Sequence, residues 1–263
     1  EPTLRVAFIP AEPVPTPDPL RTHEVMKTDF VNTISHELRT PLTSILAYAE
    51  FLEEGIAGTL SPLQREYVTH IQESSARLQN LVDDLLEFAC CEGRSMRLVF
   101  REVDMGQKIA AVVDTIQPQL AARHLTLSLD MPSEPLCLVM DPRRVGQVLQ
   151  NLLGNAIKFT PEHGHIEVRL RAVEGGVYTE IVDDGIGIDE RDLPRLFDRF
   201  FQADMSTTRE CGGTGLGLYI SRAIVDAHAG QLGVESNQGQ GSRFWFVLPT
   251  DPSKALEATG PTP

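Results

Sequence analysis

Two apolar stripes at helical period constrain this chain more than any other feature. Phe30, Ile34, Leu38, Leu42, Ile45, Ala49 and Leu52 recur at spacings of three and four, and Tyr67, Ile71, Ser74, Leu78, Leu81, Leu85 and Phe88 form a second such stripe. The stretch between them, "EEGIAGTLSP", supplies two glycines to end one helix, Ser61 to cap the next, and Pro62 for its first turn. Two long helices joined by so short a loop fold back as an antiparallel hairpin. One hairpin cannot cover both faces of its own stripes, so the pattern predicts pairing of two chains into a dimeric four-helix bundle.

From about residue 98 the period changes. "LVFREV", "LTLSLDM", "LCLVM", "HIEVRLRAV", "VYTEIVD", "QLGVES" and "SRFWFVLP" read as strands, and residues 104–122, 141–158 and 216–229 as helices. "EGG" at 174–176 closes a hairpin between two of the strands, so the sheet is at least partly antiparallel. The second half is therefore expected to be an α+β sandwich, not a parallel doubly wound sheet.

Composition narrows the partners. A formal net charge of −14 argues against nucleic acid or an anionic membrane as the main partner, since both are polyanions. No membrane span is expected, because no run of 18 apolar residues occurs. The four cysteines, Cys90, Cys91, Cys137 and Cys211, lack metal-type spacing and read as reduced, buried thiols in a cytoplasmic protein. "PAEPVPTPDP" (10–19) reads as an extended connector from an upstream region, and "DPSKALEATGPTP" as a disordered tail.

Several residues then stand out chemically. In "FVNTISHELRTPLTSIL", His36 lies about 200° around the helix from Ile34 and Leu38, away from the stripe, with Thr40 on its face, Glu37 beside it and Arg39 on the flank. Pro41 removes a helical N–H and clashes with the preceding turn at a cost of about 3 kcal/mol, a local rule broken next to a reactive type of side chain. In "NLLGNAIKF", Asn151, Asn155 and Lys158 share one helical face, where amide oxygens suit Mg²⁺ and an ammonium suits phosphate. In "VDDGIGI", a strand ends at Asp183, whose carboxylate can accept from an exocyclic amine such as that of adenine. Gly185 and Gly187 let a base approach the backbone. "GGTGLGL" (212–218) is a glycine-rich entry to a helix and an anion site; it comes too late in the chain for a dinucleotide-binding fold. Phe197, Phe200 and Phe201 read as core, with residues 202–213 as a polar cover.

These stretches, in this order, resemble the catalytic core of bacterial two-component sensor histidine kinases. "FVNTISHELRTPL" is similar to the family's H box, "NLLGNAIKFTP" to its N box, "DDGIGI" to G1, "LFDRFFQ" to the F box and "GGTGLGL" to G2. The resemblance implies a histidine phosphotransfer hairpin followed by a Bergerat-type ATPase fold, shared with gyrase, the Hsp90 chaperones and MutL. It implies His36 as phospho-acceptor, Glu37 as its acid/base neighbour and Thr40 as the residue used in dephosphorylating the partner. For nucleotide it implies Asn155 as the Mg²⁺ ligand supported by Asn151, Lys158 near the phosphates, Asp183 on the adenine amine, Gly185 and Gly187 on the floor, and Gly213, Gly215 and Gly217 along the phosphate region. The implied partners are ATP with Mg²⁺, a second copy of the chain, and a response-regulator receiver domain; an upstream membrane anchor stays open. The boundaries expected are 1–21 for the linker, 22–95 for the hairpin, 98–250 for the ATP-binding unit and 251–263 for the tail. A rival, an ATP-driven machine of the Hsp90 or MutL class, needs a carboxylate to activate water on the Asn155 helix, and "RRVGQVLQNLLGN" contains none.

Overall fold

The computed structural model describes residues 38–92, 96, 98–203 and 214–252. His36, Glu37, Gly213 and Cys211, with the expected connector and the tail from residue 253 on, lie outside the described residues.

Helix α1 (described from 38 to 53) and helix α2 (Pro62–Glu92) form the expected hairpin. Gly55 ends α1 in the left-handed region, φ 77°, while Gly55 N–H donates to Leu52 O and Ile56 N–H to Phe51 O. Ser61 and Gln64 then cap α2 reciprocally: Gln64 N–H donates to Ser61 Oγ at 3.3 Å and Ser61 N–H to Gln64 Oε1 at 2.9 Å. The helices run antiparallel, tied by Arg39 to Asp83 at 2.6 Å near one end and Gln72 to Glu53 at 2.9 Å towards the other.

Packing inside the hairpin uses rows that the stripes only half contain. Leu42 and Ala49 of α1, and Val68, Ser75 and Val82 of α2, are buried, each row spaced by seven. The α2 row was not part of the expected stripe, and Ser74 is exposed where Ser75 is not. Leu38 and Ile45 on α1, with Tyr67, Ile71, Leu78, Leu81 and Leu85 on α2, stay 43–58% exposed. The hairpin thus closes through one row of each helix and leaves the neighbouring apolar rows uncovered.

All seven expected strands form. Strands β1 (Arg101–Asp104) and β3 (Cys137–Met140) make a separate antiparallel ribbon. Strands β2 (Thr126–Asp130), β4 (His165–Val173), β5 (Gly176–Asp183), β6 (Gln231–Ser236) and β7 (Ser242–Pro249) make the main sheet, in the order β2-β4-β5-β7-β6. Only β2–β4 pairs parallel. Cys137 is exposed on its edge, not the buried hydrophobe expected of it.

Helices α3 (Met105–Ala122), α4 (Pro142–Phe159) and α5 (Gly217–Ala227) contribute with the sheet to one core. Inward residues alternate along the strands, as a half-buried sheet requires: Ile166, Val168 and Leu170 on β4; Phe244, Phe246 and Leu248 on β7. On β5 the same alternation runs Val177, Thr179, Ile181, Asp183, so the core row ends in a carboxylate. The alternate residues of the same strands carry Arg169 and Arg243, both paired to Glu180.

Both ends of α4 are fastened. Asp141 caps it, Oδ1 accepting from Arg143 N–H at 3.0 Å and Arg144 N–H at 3.1 Å, while Oδ2 accepts from Val99 N–H at 2.8 Å. Arg123 donates from one guanidinium nitrogen to the terminal carbonyls of Ile157 and Lys158, the latter at 2.8 Å. Buried His228 bridges helix ends: Nε2 accepts from Asp141 N–H at 3.0 Å and Nδ1 donates to Ile224 O at 2.8 Å. No described helix is long and apolar enough to cross a membrane.

Candidate nucleotide site

The end of the β5 core row packs against the C-terminal end of α4, and the middle of α4 packs against the first turns of α5. Asp183 is buried, and its Oδ1 accepts from Gly185 N–H at 3.0 Å. Burial pushes its carboxyl above the ordinary carboxylate range, while the N–H groups of Gly185 and Ser242 pull it back and the neighbouring Asp184 adds to the rise. The turn that follows has no room for side chains. A β-carbon at Gly185 would lie 2.6 Å from Asp183 Oδ1 and 2.7 Å from Phe159 O, and Gly187, at φ 66°, is pressed against Asn237 O. Ile186 N–H donates to Phe159 O at 3.2 Å, which stitches the turn to the C-terminal end of α4.

On α4, Asn151, Asn155 and Lys158 are all half-buried on the face that sequence spacing gave them, but they are not equivalent. Asn151 Nδ2 donates to Ser221 Oγ of α5 at 2.9 Å. The Asn155 carboxamide meets no hydrogen-bonding partner among the described residues. Lys158 Nζ lies 4.8 Å from the Phe159 ring centroid.

The glycine-rich entry to α5 is close-packed on both sides. Gly215, at φ 70°, lies against the backbone of Phe200 and Phe201, and Gly217 against the Asn151 carboxamide. Thr214 Oγ accepts from Leu216 N–H at 3.1 Å and donates to Asp84 of α2 at 2.5 Å. The phenylalanines expected in the core are not there. Phe200 is 60% exposed with φ 59° and its ring is 5.6 Å from Phe88 of α2; Arg222 lies over Phe197 and Arg195 over Phe201. An aromatic ring capped by a guanidinium is satisfied at the surface, which is why apolarity alone misplaced these residues.

The structure thus joins the turn after Asp183 to the end of α4, which carries Asn155 and Lys158, and joins Asn151 in the middle of α4 to Gly217 and Ser221 of α5; Gly187 packs on Asn237, Gly215 on Phe200, and Thr40 is exposed on α1. Sequence reasoning missed Ser221, Gly241 and Ser242. Gly241 has φ 86° and its missing side chain makes room for Asp183 O. Ser242 is the register partner of Asp183 across β5–β7. The glycine could have been flagged by "GQGS"; Ser221 carries no local signal.

The donor set fits a cation that arrives with a phosphate ligand. Carboxamide oxygens are neutral, and Mg²⁺ takes few protein ligands when phosphates and water fill the rest. No group of three or more His, Cys, Asp and Glu positioned to hold a metal by itself occurs among the described residues.

A helical hairpin followed by a layer of helices on a mixed five-stranded sheet is the arrangement the described residues form. Residues 26–93 match the His Kinase A (phospho-acceptor) domain, and residues 140–252 the histidine kinase-, DNA gyrase B- and HSP90-like ATPase family. The chain belongs to the two-component sensor histidine kinases and carries their catalytic core. It is 35% identical over 229 residues to the sensor protein kinase WalK of Staphylococcus haemolyticus, covering 86% of this chain and 37% of that protein. It is 36% identical over 225 residues to the circadian input-output histidine kinase CikA of Synechococcus elongatus, covering 85% and 30%. The chain thus spans about a third of the length of these curated relatives. Among solved structures, full-length ShkA in complex with AMPPNP matches with TM-score 0.70 at 34% identity, over 84% of this chain and 46% of that one. Histidine kinase ThkA in complex with the response regulator TrrA matches with TM-score 0.61 at 26% identity, over 89% and 65%.

Proposed function

We propose that this core binds ATP with Mg²⁺, transfers the γ-phosphoryl group to His36, and passes it to an aspartate on a response-regulator receiver domain. One observation carries the reading: buried Asp183, beside a turn too tight for side chains, is joined to the end of the helix whose Asn155 amide meets no hydrogen-bonding partner among the described residues. Asp183 would accept from the adenine amine, with Gly185 and Gly187 beneath the base. Asn155 would ligate Mg²⁺, Asn151 would support it, and Lys158 and the segment holding Gly213, Gly215 and Gly217 would face the phosphates. Mg²⁺, when bound, neutralises charge on the transferring group. Phosphoryl transfer passes through a loose transition state that needs positioning and charge neutralisation more than covalent help.

On the hairpin, neutral His36 would attack through one ring nitrogen while Glu37 holds the proton on the other and stabilises the developing imidazolium. Thr40, exposed on α1, would orient a water in the reverse task of dephosphorylating the partner. Dimerisation has support in the uncovered apolar rows of α1 and α2. We assign 22–95 to dimerisation and phosphotransfer and 98–250 to nucleotide binding, with the work done in the cytoplasm, where ATP is.

The test is a labelled-ATP assay. The parent should take up acid-labile label and pass it to a receiver domain; His36→Ala should take up none, and Asn155→Ala and Asp183→Ala should lose Mg–ATP affinity. Acid-stable label, or label on His36→Ala, would overturn the histidine assignment.

A further inference from the structure

We propose that the ATP site of one protomer serves the phospho-acceptor helix of the other, so that phosphoryl transfer crosses the dimer. The proposal rests on the function and the dimer proposed above, and it names the substrate of that site as the partner's His36. The bond from the γ-phosphorus to the β–γ bridging oxygen breaks as a P–N bond to the partner's His36 forms, and ADP leaves.

The ATP-binding unit is clasped to α2 beside the glycine-rich entry to α5. Thr214, in that entry, donates to Asp84 at 2.5 Å. One turn further along α2, the Phe88 ring lies 5.6 Å from Phe200 and 5.7 Å from Tyr219 of α5, and the Arg199 guanidinium lies over both Phe88 and Tyr219. Asp83, next to Asp84, is paired to Arg39 of α1 at 2.6 Å, and Arg39 follows His36 by three residues in sequence. The clasp therefore sits at the height of the hairpin to which the acceptor turn belongs.

The faces of α2 decide which acceptor helix lies beside it. Val82 belongs to the buried row that closes on α1, so it marks the direction of the chain's own α1. At about 100° per residue, Leu78, Leu85 and Leu81 of the uncovered row lie roughly 40°, 60° and 100° round from Val82 in one direction, and Phe88 and Asp84 roughly 120° and 160° in that same direction. Asp83 lies about 100° round the opposite way. In a two-fold four-helix bundle each helix is diagonal to its own copy, so the two neighbours of α2 are its own α1 and the partner's α1, about 90° apart. The partner's α1 thus covers the uncovered row, and the clasp begins where that row ends. The ATP-binding unit flanks the partner's α1, with its own α1 on the far side of α2. Transfer within one chain would need the clasp on the Asp83 flank.

Mixed dimers test this. A full chain carrying His36→Ala and one carrying Asn155→Ala, with different affinity tags, are co-expressed, isolated through both tags and given labelled ATP with Mg²⁺. Each variant alone should take up no label. The mixed dimer should regain about half of the parent's label, because one of its two transfer routes is whole, and all of it should lie on the Asn155→Ala chain. Transfer within a chain leaves every chain with one broken part, so a mixed dimer that labels no more than the single variants overturns the proposal. Asp183→Ala in place of Asn155→Ala repeats the measurement with a different lesion, and the same absence of label there overturns it equally. The underlying reading fails in another way: a parent that takes up no acid-labile label, or a His36→Ala chain that labels alone, removes the histidine kinase function itself, and a parent that is monomeric by light scattering removes the dimer.

Discussion

Replacing His228 should cost stability in proportion to the hydrogen bonds the substitute cannot make. The ring is 1% exposed and serves Asp141 N–H and Ile224 O together. His228→Phe fills the space but strands the Asp141 N–H, while Ile224 O keeps the backbone N–H of residue 228 at 3.2 Å, so the cost should be about 1–3 kcal/mol. His228→Gln offers one acceptor and one donor and should cost under about half of that. pH separates the two further. Burial holds His228 below its ordinary value of 6.5, against the pull of Asp141, so the unfolded chain takes the proton first. The contribution of neutral His228 is complete above 6.5 and is lost as pH falls through that value towards the lower folded one. Urea unfolding of the three proteins at pH 7.5 and 5.5 is the assay. The parent should lose stability at pH 5.5 by more than His228→Gln does. Equal stability of His228→Phe and parent at pH 7.5, or identical pH dependence of parent and His228→Gln, would refute the bridging role.

Other perturbations follow from the same contacts. Leu152→Ala empties a fully buried position between α4 and the sheet and should cost about 2–5 kcal/mol by urea unfolding. Ser61→Ala removes one half of the α2 capping box and should cost about 0.5–2 kcal/mol, seen as earlier thermal loss of helical dichroism in the hairpin. Leu81→Glu places a charge on an uncovered row of α2 and should convert a dimer to a folded monomer by light scattering, with helical content retained. A dimer that survives it would argue that this row is not the interface.

The architecture was legible because its signals are local and periodic. Strand alternation, the glycine turn at 174–176 and the cap residues Ser61 and Asp141 each act within a few residues, and all seven strands and the three later helices appeared where those signals lie. Which apolar row of α2 faces α1 was not legible. Val68, Ser75 and Val82 lie one position beyond Tyr67, Ser74 and Leu81 on the helix, and only the partner helix decides between adjacent rows. Tyr67, Ile71, Leu78, Leu81 and Leu85 therefore look like the interior of the hairpin in sequence, yet they are its unclosed outer seam. That is the argument for a second chain: the rows closing the hairpin are short and small, containing Ala49 and Ser75, while the larger side chains remain outside.

At the nucleotide site the limit is of another kind. The i, i+4 relation makes Asn151 and Asn155 look interchangeable, because spacing along one helix fixes a face and nothing about what stands opposite it. What separates them is α5, nearly seventy residues later, whose Gly217 and Ser221 reach the first asparagine and not the second. The glycines of "GGTGLGL" show the same thing. Sequence reads them as a phosphate cradle, but Gly215 is required by the backbone of Phe200 and Gly217 by the Asn151 amide, whatever ligand is bound. An alanine at 217 should therefore disturb the site even without nucleotide, by displacing Asn151 from Ser221. A cradle role alone would leave the ligand-free chain unchanged, so the nuclear magnetic resonance signals of the Asn151 side-chain amide in the ligand-free chain distinguish the two.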